Sequence, residues 1–162
     1  MIAYIGVDPG LSGAVAVLMD DVLSVHDMPT VEVVRNGKTK REMSAGLLHG
    51  LIRQIPVHRK VAILERVGAM PGQGVTSVFS FGRSVGIVEG VLAAHEVAVT
   101  IVTPQAWQKA MDVRGGKDAS RARAMECFPA YAAMFKRKLD DGRADAALMA
   151  AFCRIKNERA GA

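Results

Sequence analysis

The sequence has few cysteines, few aromatic residues and no long apolar run. Its two cysteines, Cys127 and Cys153, lie in segments that read as helical and lack metal-ligand spacing, so we expect free thiols in a reducing compartment. No apolar stretch approaches the ~20 residues that span a bilayer. No basic segment leads into an apolar stretch at the N-terminus, as a signal peptide would require. These absences exclude a disulfide scaffold, and we expect a cytoplasmic protein that makes no membrane contact.

The residues that are present are typical of one globular α/β domain covering residues 1–162. Half of them are apolar, which provides enough material for a core. The chain carries 21 Lys and Arg against 16 Asp and Glu, a formal net charge of +5. That balance is compatible with nucleic acid as a partner but is a weak signal by itself.

The order of periodic segments predicts a mixed sheet with helices on its faces. Strands are predicted at 2–8, 14–19, 22–28, 60–67 and 97–102, the first three as an antiparallel meander. Helices are predicted at 42–54, 75–95, 104–111, 118–127 and 142–157. Asn36-Gly37 is a strong tight-turn signal. Gly82, Gly86 and Gly90 recur at four-residue steps, which indicates either a dimer face or close packing of that helix on its own sheet.

Four carboxylates fall at positions where the predicted elements begin or end. Asp8 closes the first strand, Glu65 lies near the end of the buried run VAILERV, and Asp141 and Asp145 stand at the start of the final helix. Capping of that helix is an alternative role for Asp140 and Asp141, and an ion pair is an alternative for Glu65. Clustered acids repel unless cations lie between them. An oxygen-only set without His or Cys favours Mg²⁺ or Mn²⁺ over zinc.

Six blocks of the sequence resemble the RuvC-type Holliday-junction resolvases, especially the compact RuvC-like endonucleases of phages and prophages. The blocks are IGVDPGLSGAVAV, VAILERV, FSFGRSVGIVEGVL, VTPQAWQKAM, KDASRARAMECFP and DDGRADAALMA, in that order. The resemblance covers roughly residues 2–152. It implies an RNase H-like fold, with a five-stranded mixed sheet flanked by helices. It also implies a homodimer that acts on four-way DNA junctions.

The resemblance further implies a magnesium-dependent endonuclease that uses no nucleotide cofactor. Asp8, Glu65 and Asp145 match three of the family's metal-binding acids. The fourth acid usually stands three residues before the last, where this chain has Gly142, so Asp141 is favoured over Asp140 because it shares a helical face with Asp145. The implied reaction is two-metal phosphodiester hydrolysis that nicks the junction symmetrically and leaves 5′-phosphate ends.

Several basic residues are candidates for contact with DNA phosphates. Lys138 and Arg143 adjoin the acidic pair, whereas other basic stretches, among them Lys38 to Arg41, are more typical of a solvated face. Further candidates are Arg83, Lys117 and Arg121. Trp107 is typical of a packing residue, with stacking on a base as the alternative. The family's phenylalanine after the glutamate is missing here. Met70 is a candidate replacement, and broader specificity for branched DNA stays open.

Three other functions compete with the resolvase hypothesis. An actin-like phosphotransferase shares the strand-and-turn motif, but it needs two domains and a second phosphate loop, which 162 residues without a repeat do not supply. A non-catalytic junction-binding dimer would gain nothing from acids that face DNA. A relative that acts on RNA or on linear DNA stays open.

Overall fold

The computed structural model describes residues 1–68, 72–116 and 118–161. The strands are β1 Ile2–Val7, β2 Ala14–Met19, β3 Val22–Asp27, β4 Thr30–Arg35, β5 Lys38–Met43, β6 Arg59–Glu65 and β7 Ala98–Val102. The α-helices are α1 Ala45–Arg53, α2 Val75–Ala94, α3 Pro104–Ala110, α4 Ala119–Cys127 and α5 Asp141–Ala160. Two 3₁₀ segments, Pro129–Phe135 and Lys138–Asp140, connect α4 to α5. The strands and helices predicted for the main sheet and its flanks agree with these bounds to within a few residues.

Five strands form the main sheet in the order β3-β2-β1-β6-β7. The β1-β2 and β2-β3 pairs are antiparallel, whereas β1-β6 and β6-β7 are parallel. The predicted five-stranded mixed sheet is therefore confirmed. Its parallel centre places the carboxyl ends of β1 and β6 at one edge, where polar side chains from both strands can meet.

Helices cover both faces of this sheet with separate apolar cores. One core joins the sheet to α3, α4 and α5 and contains Trp107, Phe135 and Leu148. The other joins the opposite face to α1 and α2 through residues such as Leu48 and Val88. The result is a three-layer arrangement with the sheet in the middle.

The closest helix-to-sheet approach occurs where α5 crosses β1. A Cβ atom placed on Gly6 would lie 2.0 Å from the Ala146 carbonyl oxygen and 2.5 Å from the Ala150 nitrogen. Only glycine fits between the strand and the helix backbone at this point. The small alanine side chains of α5 allow the same close approach from the helix side. This packing fixes the start of α5 beside the end of β1.

The chain between the meander and the first helix forms a hairpin that the sequence analysis missed. β4 and β5 pair as a separate two-stranded antiparallel sheet around Asn36 and Gly37, whose φ angles are 52° and 71°. The predicted tight turn is therefore confirmed. The prediction of a helix from residue 42 is wrong at its start, because Met43 ends β5 and Ser44 caps the helix by accepting the Leu47 N–H at 3.3 Å.

The glycine-rich face of α2 points away from the protein. No atom of the described residues lies within 4 Å of a Cβ placed on Gly82, Gly86 or Gly90, so the alternative of close packing on the sheet is wrong for these glycines. By length and composition, α2 is the one described helix that could cross a membrane. Helices of soluble proteins pass the same test. Arg83, near the middle of α2, forms an ion pair with Glu42 of the hairpin at 2.7 Å.

Candidate functional site

Asp8 lies directly after β1, at the start of a tight turn. Its backbone N–H donates to the Ala14 carbonyl at 3.1 Å, and the turn closes through the Gly13 N–H and the Gly10 carbonyl at 2.9 Å. One oxygen of its carboxylate, Oδ1, accepts the Gly10 N–H at 3.1 Å. Burial raises the pKa of Asp8, and this hydrogen bond opposes the rise. The turn therefore holds a carboxylate at the edge of the sheet that burial makes reluctant to ionise.

Glu65 ends the neighbouring parallel strand, β6. The register pairs Val7 with Leu64, so the next residues along the two strands, Asp8 and Glu65, lie side by side at the carboxyl ends of β1 and β6. The Trp107 indole Nε1–H donates to Glu65 Oε2 at 2.7 Å, and Trp107 itself is fully buried. Packing is thus confirmed for Trp107, and its burial leaves no face for stacking on a base. Burial and the Asp8 charge raise the pKa of Glu65, whereas the indole hydrogen bond lowers it.

Asp145 lies one turn into α5 and carries the largest perturbation of the group. Its Oδ1 atom is buried and has no hydrogen-bond partner among the described residues. Burial raises the pKa of Asp145 to about 7, with smaller contributions from the charges of Asp8, Glu65 and Asp141, while a hydrogen bond from Ser120 opposes them. The charges of all three other predicted acids therefore act on Asp145. A buried oxygen without a donor is also where a cation would be most favourable.

Asp140 and Asp141 have different environments although they are adjacent. Asp140 is buried and accepts two hydrogen bonds from Arg137, one from the backbone N–H at 2.8 Å and one from the guanidinium at 2.9 Å. Burial raises the pKa of Asp140, but these hydrogen bonds outweigh burial and lower it. Asp141 is half-exposed and forms an ion pair with Arg121 at 2.7 Å. Asp140 thus stabilises the 3₁₀ turn before α5, and neither side chain caps α5 itself. Of the two, Asp141 is the one whose charge acts on Asp145.

The absence of an acid at position 142 has a steric cause. A Cβ on Gly142 would lie 2.5 Å from the Ser12 carbonyl oxygen, 2.7 Å from the Gly13 Cα and 3.1 Å from Asp8 Oδ2. The first turn of α5 therefore packs directly on the turn that follows Asp8. No side chain fits there, and a fourth carboxylate has to stand elsewhere.

Two of the predicted acids, Asp141 and Asp145, line a polar cavity beside the start of α5. The cavity has a volume of ≈ 330 Å³, and Ser120, Gly115 and Gly116 also line it. A larger cavity of ≈ 770 Å³ lies between β3 and α1, away from these acids. We place the candidate site at the smaller one because Asp145 lines it and is the acid whose pKa is raised to about 7, with Asp8 and Glu65 among the charges that act on it.

The donor set suits a hard divalent cation. All four side chains supply carboxylate oxygens, which hard divalent cations prefer. The buried Oδ1 of Asp145 lacks a hydrogen-bond donor among the described residues. Burial, together with neighbouring negative charges, raises the pKa values of Glu65 and Asp145. No three His, Cys, Asp or Glu side chains within residues 1–68, 72–116 and 118–161 already converge on one metal position. The residues therefore fit Mg²⁺ or Mn²⁺ in chemistry, and binding would draw the carboxylates closer together.

The arginines predicted to contact DNA are held in ion pairs. Arg143 donates twice to Asp27, from Nε and Nη2, each at 2.6 Å, which links α5 to the end of β3. Arg121 is buried and contacts Asp118 as well as Asp141, so its guanidinium holds acids and does not reach the surface as a DNA contact requires. Arg83 is half-exposed beside its Glu42 partner.

Lys138 alone among these predicted DNA contacts is exposed without a carboxylate partner in the described part of the chain. It lies in the 3₁₀ turn that precedes α5. Lys117, also predicted to contact DNA, and Met70, the candidate apolar wedge, lie outside the described residues.

Two supporting residues of the site escaped the sequence analysis. Trp107 and Ser120 each donate to one of the acids, yet they stand 42 and 25 positions away from Glu65 and Asp145 respectively. No local pattern pairs residues at such separations. The sequence predicts packing for Trp107, but it contains no signal that links Trp107 to Glu65 or Ser120 to Asp145.

Comparison with known proteins gives structural neighbours but no sequence relatives. No protein-family profile and no curated protein sequence matches the chain. A solved structure described as T. thermophilus RuvC in complex with Holliday junction substrate aligns with a TM-score of 0.61, 13% identity and coverage of 96% of both chains. A second, described as Thermus thermophilus RuvC structure, aligns with a TM-score of 0.51, 15% identity and the same coverage. The chain therefore has a RuvC-like, RNase H-like fold.

Proposed function

We propose that this protein is a metal-dependent, structure-specific DNA endonuclease that nicks four-way junctions. The observation that carries the proposal is the electrostatic coupling of Asp145 to Asp8, Glu65 and Asp141: burial raises the pKa of Asp145 to about 7, and the charges of these three acids add to the rise. The RuvC-like fold supports the choice of substrate, since one neighbour of that fold is described as bound to a Holliday junction.

Asp8, Glu65, Asp141 and Asp145 would hold the ions in this proposal. When bound, two divalent cations neutralise charge on the attacking and leaving oxygens of phosphodiester hydrolysis. Ionisation of Asp145 is unfavourable without a cation, so binding and loss of its proton are coupled. Asp141 is held by Arg121 at 2.7 Å, and it has to share or leave that partner to become a ligand.

The surrounding residues orient the acids. The Gly10 N–H fixes one oxygen of Asp8, and the Trp107 indole fixes one oxygen of Glu65. Ser120 donates to Asp145. Such supporting donors preserve the carboxylate orientation that a metal site needs. Products with 5′-phosphate and 3′-hydroxyl ends follow if water attacks the scissile phosphorus and the P–O3′ bond breaks, so that the 3′ oxygen leaves and takes up a proton.

Symmetric nicking requires two such sites, and we propose a homodimer through the exposed face of α2. Gly82, Gly86 and Gly90 leave that face thin enough for close approach of a second helix, and Phe79 nearby is 74% exposed. A Gly86→Arg variant should shift the protein to monomer by light scattering at fixed concentration. A wild-type protein that is monomeric at micromolar concentration would contradict the dimer.

The test is cleavage of a synthetic four-way junction beside a linear duplex and a fork of the same arm sequence, with Mg²⁺ and then Mn²⁺. Selective, paired nicks in the junction support a resolvase, whereas nicks in the fork as well support the broader branched-DNA nuclease. Asp8→Asn and Asp145→Asn should abolish cutting and retain binding. Tight junction binding without any cutting by wild type would leave only a binding protein on the same fold.

A further inference from the structure

The hairpin formed by β4 and β5 carries an excess of positive charge beside the candidate site. Residues 30–43 contain four cations, Arg35, Lys38, Lys40 and Arg41, against Glu32 and Glu42. Alternation along a strand places Lys38, Lys40 and Glu42 on one face of β5, and the register brings Arg35 opposite Lys38 on that same face. Three of the four cations therefore share one side of the hairpin.

Glu42, the carboxylate on this face, is already held in ion pairs. Glu42 pairs with Arg35 at 3.2 Å and with Arg83 of α2 at 2.7 Å. Lys38 and Lys40 are both exposed, and neither has an acidic partner among the residues that the structure describes. Like charges opposite each other on a hairpin are unfavourable unless an anion lies near them. The face is thus complementary to an external anion.

The hairpin is fixed relative to Asp8 by its other face. The Arg41 guanidinium donates to the Leu11 carbonyl at 2.6 Å and to the Ser12 hydroxyl at 3.1 Å, both in the turn that follows Asp8. The Glu42–Arg83 pair joins the hairpin base to α2. Two contacts on different sides therefore hold the hairpin at a set position relative to the turn that follows Asp8 and to α2.

A groove runs between this face and the start of α2. Lys40 lines a cavity of ≈ 310 Å³ together with the apolar side chains of Leu11 and Phe81 and the hydroxyl residues Thr76, Ser77 and Ser80. Leu11 belongs to the turn that follows Asp8 and also borders a second cavity with Ser12 and Gly13, so the groove adjoins that turn. Lysine and hydroxyl groups are the side chains that bind phosphate oxygens without reading base sequence.

We propose that this groove, between the cationic face of the β4-β5 hairpin and the start of α2, binds the phosphate backbone of one DNA arm. The proposal rests on the proposed function and adds the surface that holds the substrate. Lys38 and Lys40 contact phosphates, and the hydroxyls of Thr76, Ser77 and Ser80 line the opposite wall. Arg41 acts as a positioning residue that keeps the hairpin against the Asp8 turn.

The test compares the salt dependence of junction binding for charge-matched variants, measured with EDTA present so that no cutting occurs. Each phosphate contact contributes about 0.9 to the slope of log affinity against log salt, so Lys38→Ala with Lys40→Ala should reduce the slope by about 2. Lys156→Ala with Arg159→Ala removes the same charge near the far end of α5. This control should leave the slope within about 0.3 of wild type, well below the change expected for one lost contact.

A second variant separates binding from folding. Ser77 is the third residue of α2, where Glu is favourable for the helix N-terminus, yet a carboxylate there would repel phosphate. Ser77→Glu should therefore keep or raise the melting temperature and weaken junction binding at least threefold. Under cleavage conditions, the lysine variants should raise KM and leave kcat within about twofold, because the acids are untouched.

The outcomes distinguish this proposal from the proposed function. If wild type cuts junctions and the hairpin variants bind with the wild-type slope, the groove proposal is overturned and the nuclease stands. If wild type binds DNA without cutting and the hairpin variants lose about two contacts, the groove stands and the nuclease fails. Equal loss in the Lys156 and Arg159 control would reduce the effect to net charge and overturn the groove.

Discussion

Replacement of Trp107 by Phe is the most informative single perturbation of the candidate site. The indole Nε1–H donates to Glu65 Oε2 at 2.7 Å, and the ring is fully buried. Phe keeps most of the apolar contact and removes the donor. Glu65 would then lose the interaction that lowers its pKa and keep the burial and the Asp8 charge that raise it.

The magnitude follows from the type of bond. Hydrogen bonds to charged groups contribute about 1.5–3 kcal/mol to stability, and because Glu65 is only half-buried we expect the lower half of that range. A double-mutant cycle with Glu65→Ala isolates this term, since the loss of ring volume appears in both arms and cancels. The cycle should give a coupling of about 1.5–2 kcal/mol at pH 8, consistent with a charge-assisted bond.

The assay is urea unfolding of the four proteins at pH 8 in EDTA. Mg²⁺ titration of wild type and Trp107→Phe, followed by the shift in melting temperature, gives a second readout. Loss of an outer-shell donor lowers metal affinity by about 10–100-fold, so Trp107→Phe should need correspondingly more Mg²⁺. A coupling below about 0.5 kcal/mol, within the error of additive sites, would refute the view that Trp107 orients Glu65.

Three further predictions concern the same edge of the sheet. Without metal, the raised pKa of Asp145 makes the folded state keep a proton that the unfolded state releases, so the contribution of Asp145 to stability is greatest below about pH 4 and is lost as pH rises through about 7. The difference between a pKa of 3.8 and one of about 7 corresponds to about 4 kcal/mol. Asp145→Asn should remove most of this pH dependence, measured by urea titrations at pH 5 and 8. Gly6→Ala should lower the free energy of unfolding by about 3 kcal/mol or more, because the added Cβ would meet the backbone of α5. Gly50→Ala in α1, where the added Cβ would meet open space, should raise it by up to about 1 kcal/mol in the same denaturation assay. Gly142→Asp should unfold the protein at a lower temperature without improving Mg²⁺ affinity, because its Cβ would lie 2.5 Å from the Ser12 carbonyl oxygen; unchanged stability would contradict the packing of α5 on the Asp8 turn.

The sequence was sufficient for the main sheet because its strands carry strong local signals. β1, β2 and β6 are apolar runs that end at turn residues or at a charge, and the acids that follow β1 and β6 could be expected at one edge. The hairpin was not predicted, because β5 is mostly polar and charged and its pairing depends on the Asn36-Gly37 turn. Met43 fits the apolar spacing of α1 as well as the end of β5, so the sequence predicts the helix from residue 42 and not the end of the strand at Met43.

The environment of each acid depended on contacts that no local pattern contains. Helical spacing favours Asp141 over Asp140 as a ligand, but the sequence does not reveal that Asp140 is buried against Arg137 or that Asp141 pairs with Arg121. Arg143 reads as a free cation beside the acidic pair, and Arg121 reads as part of a separate basic stretch. Folding brings Arg143 a partner from β3 and Arg121 partners from the start of α4 and α5. Charge alone therefore identified the region of the site and not the groups available to DNA.

The most direct measurement of the central claim is cleavage of a radiolabelled four-way junction by wild type, Asp8→Asn and Asp145→Asn, with binding measured in parallel. We predict paired nicks with Mg²⁺ for wild type, no detectable nicks for either variant, and junction affinity for both variants equal to or tighter than that of wild type. Cutting at the wild-type rate by Asp8→Asn or Asp145→Asn would contradict the carboxylate site.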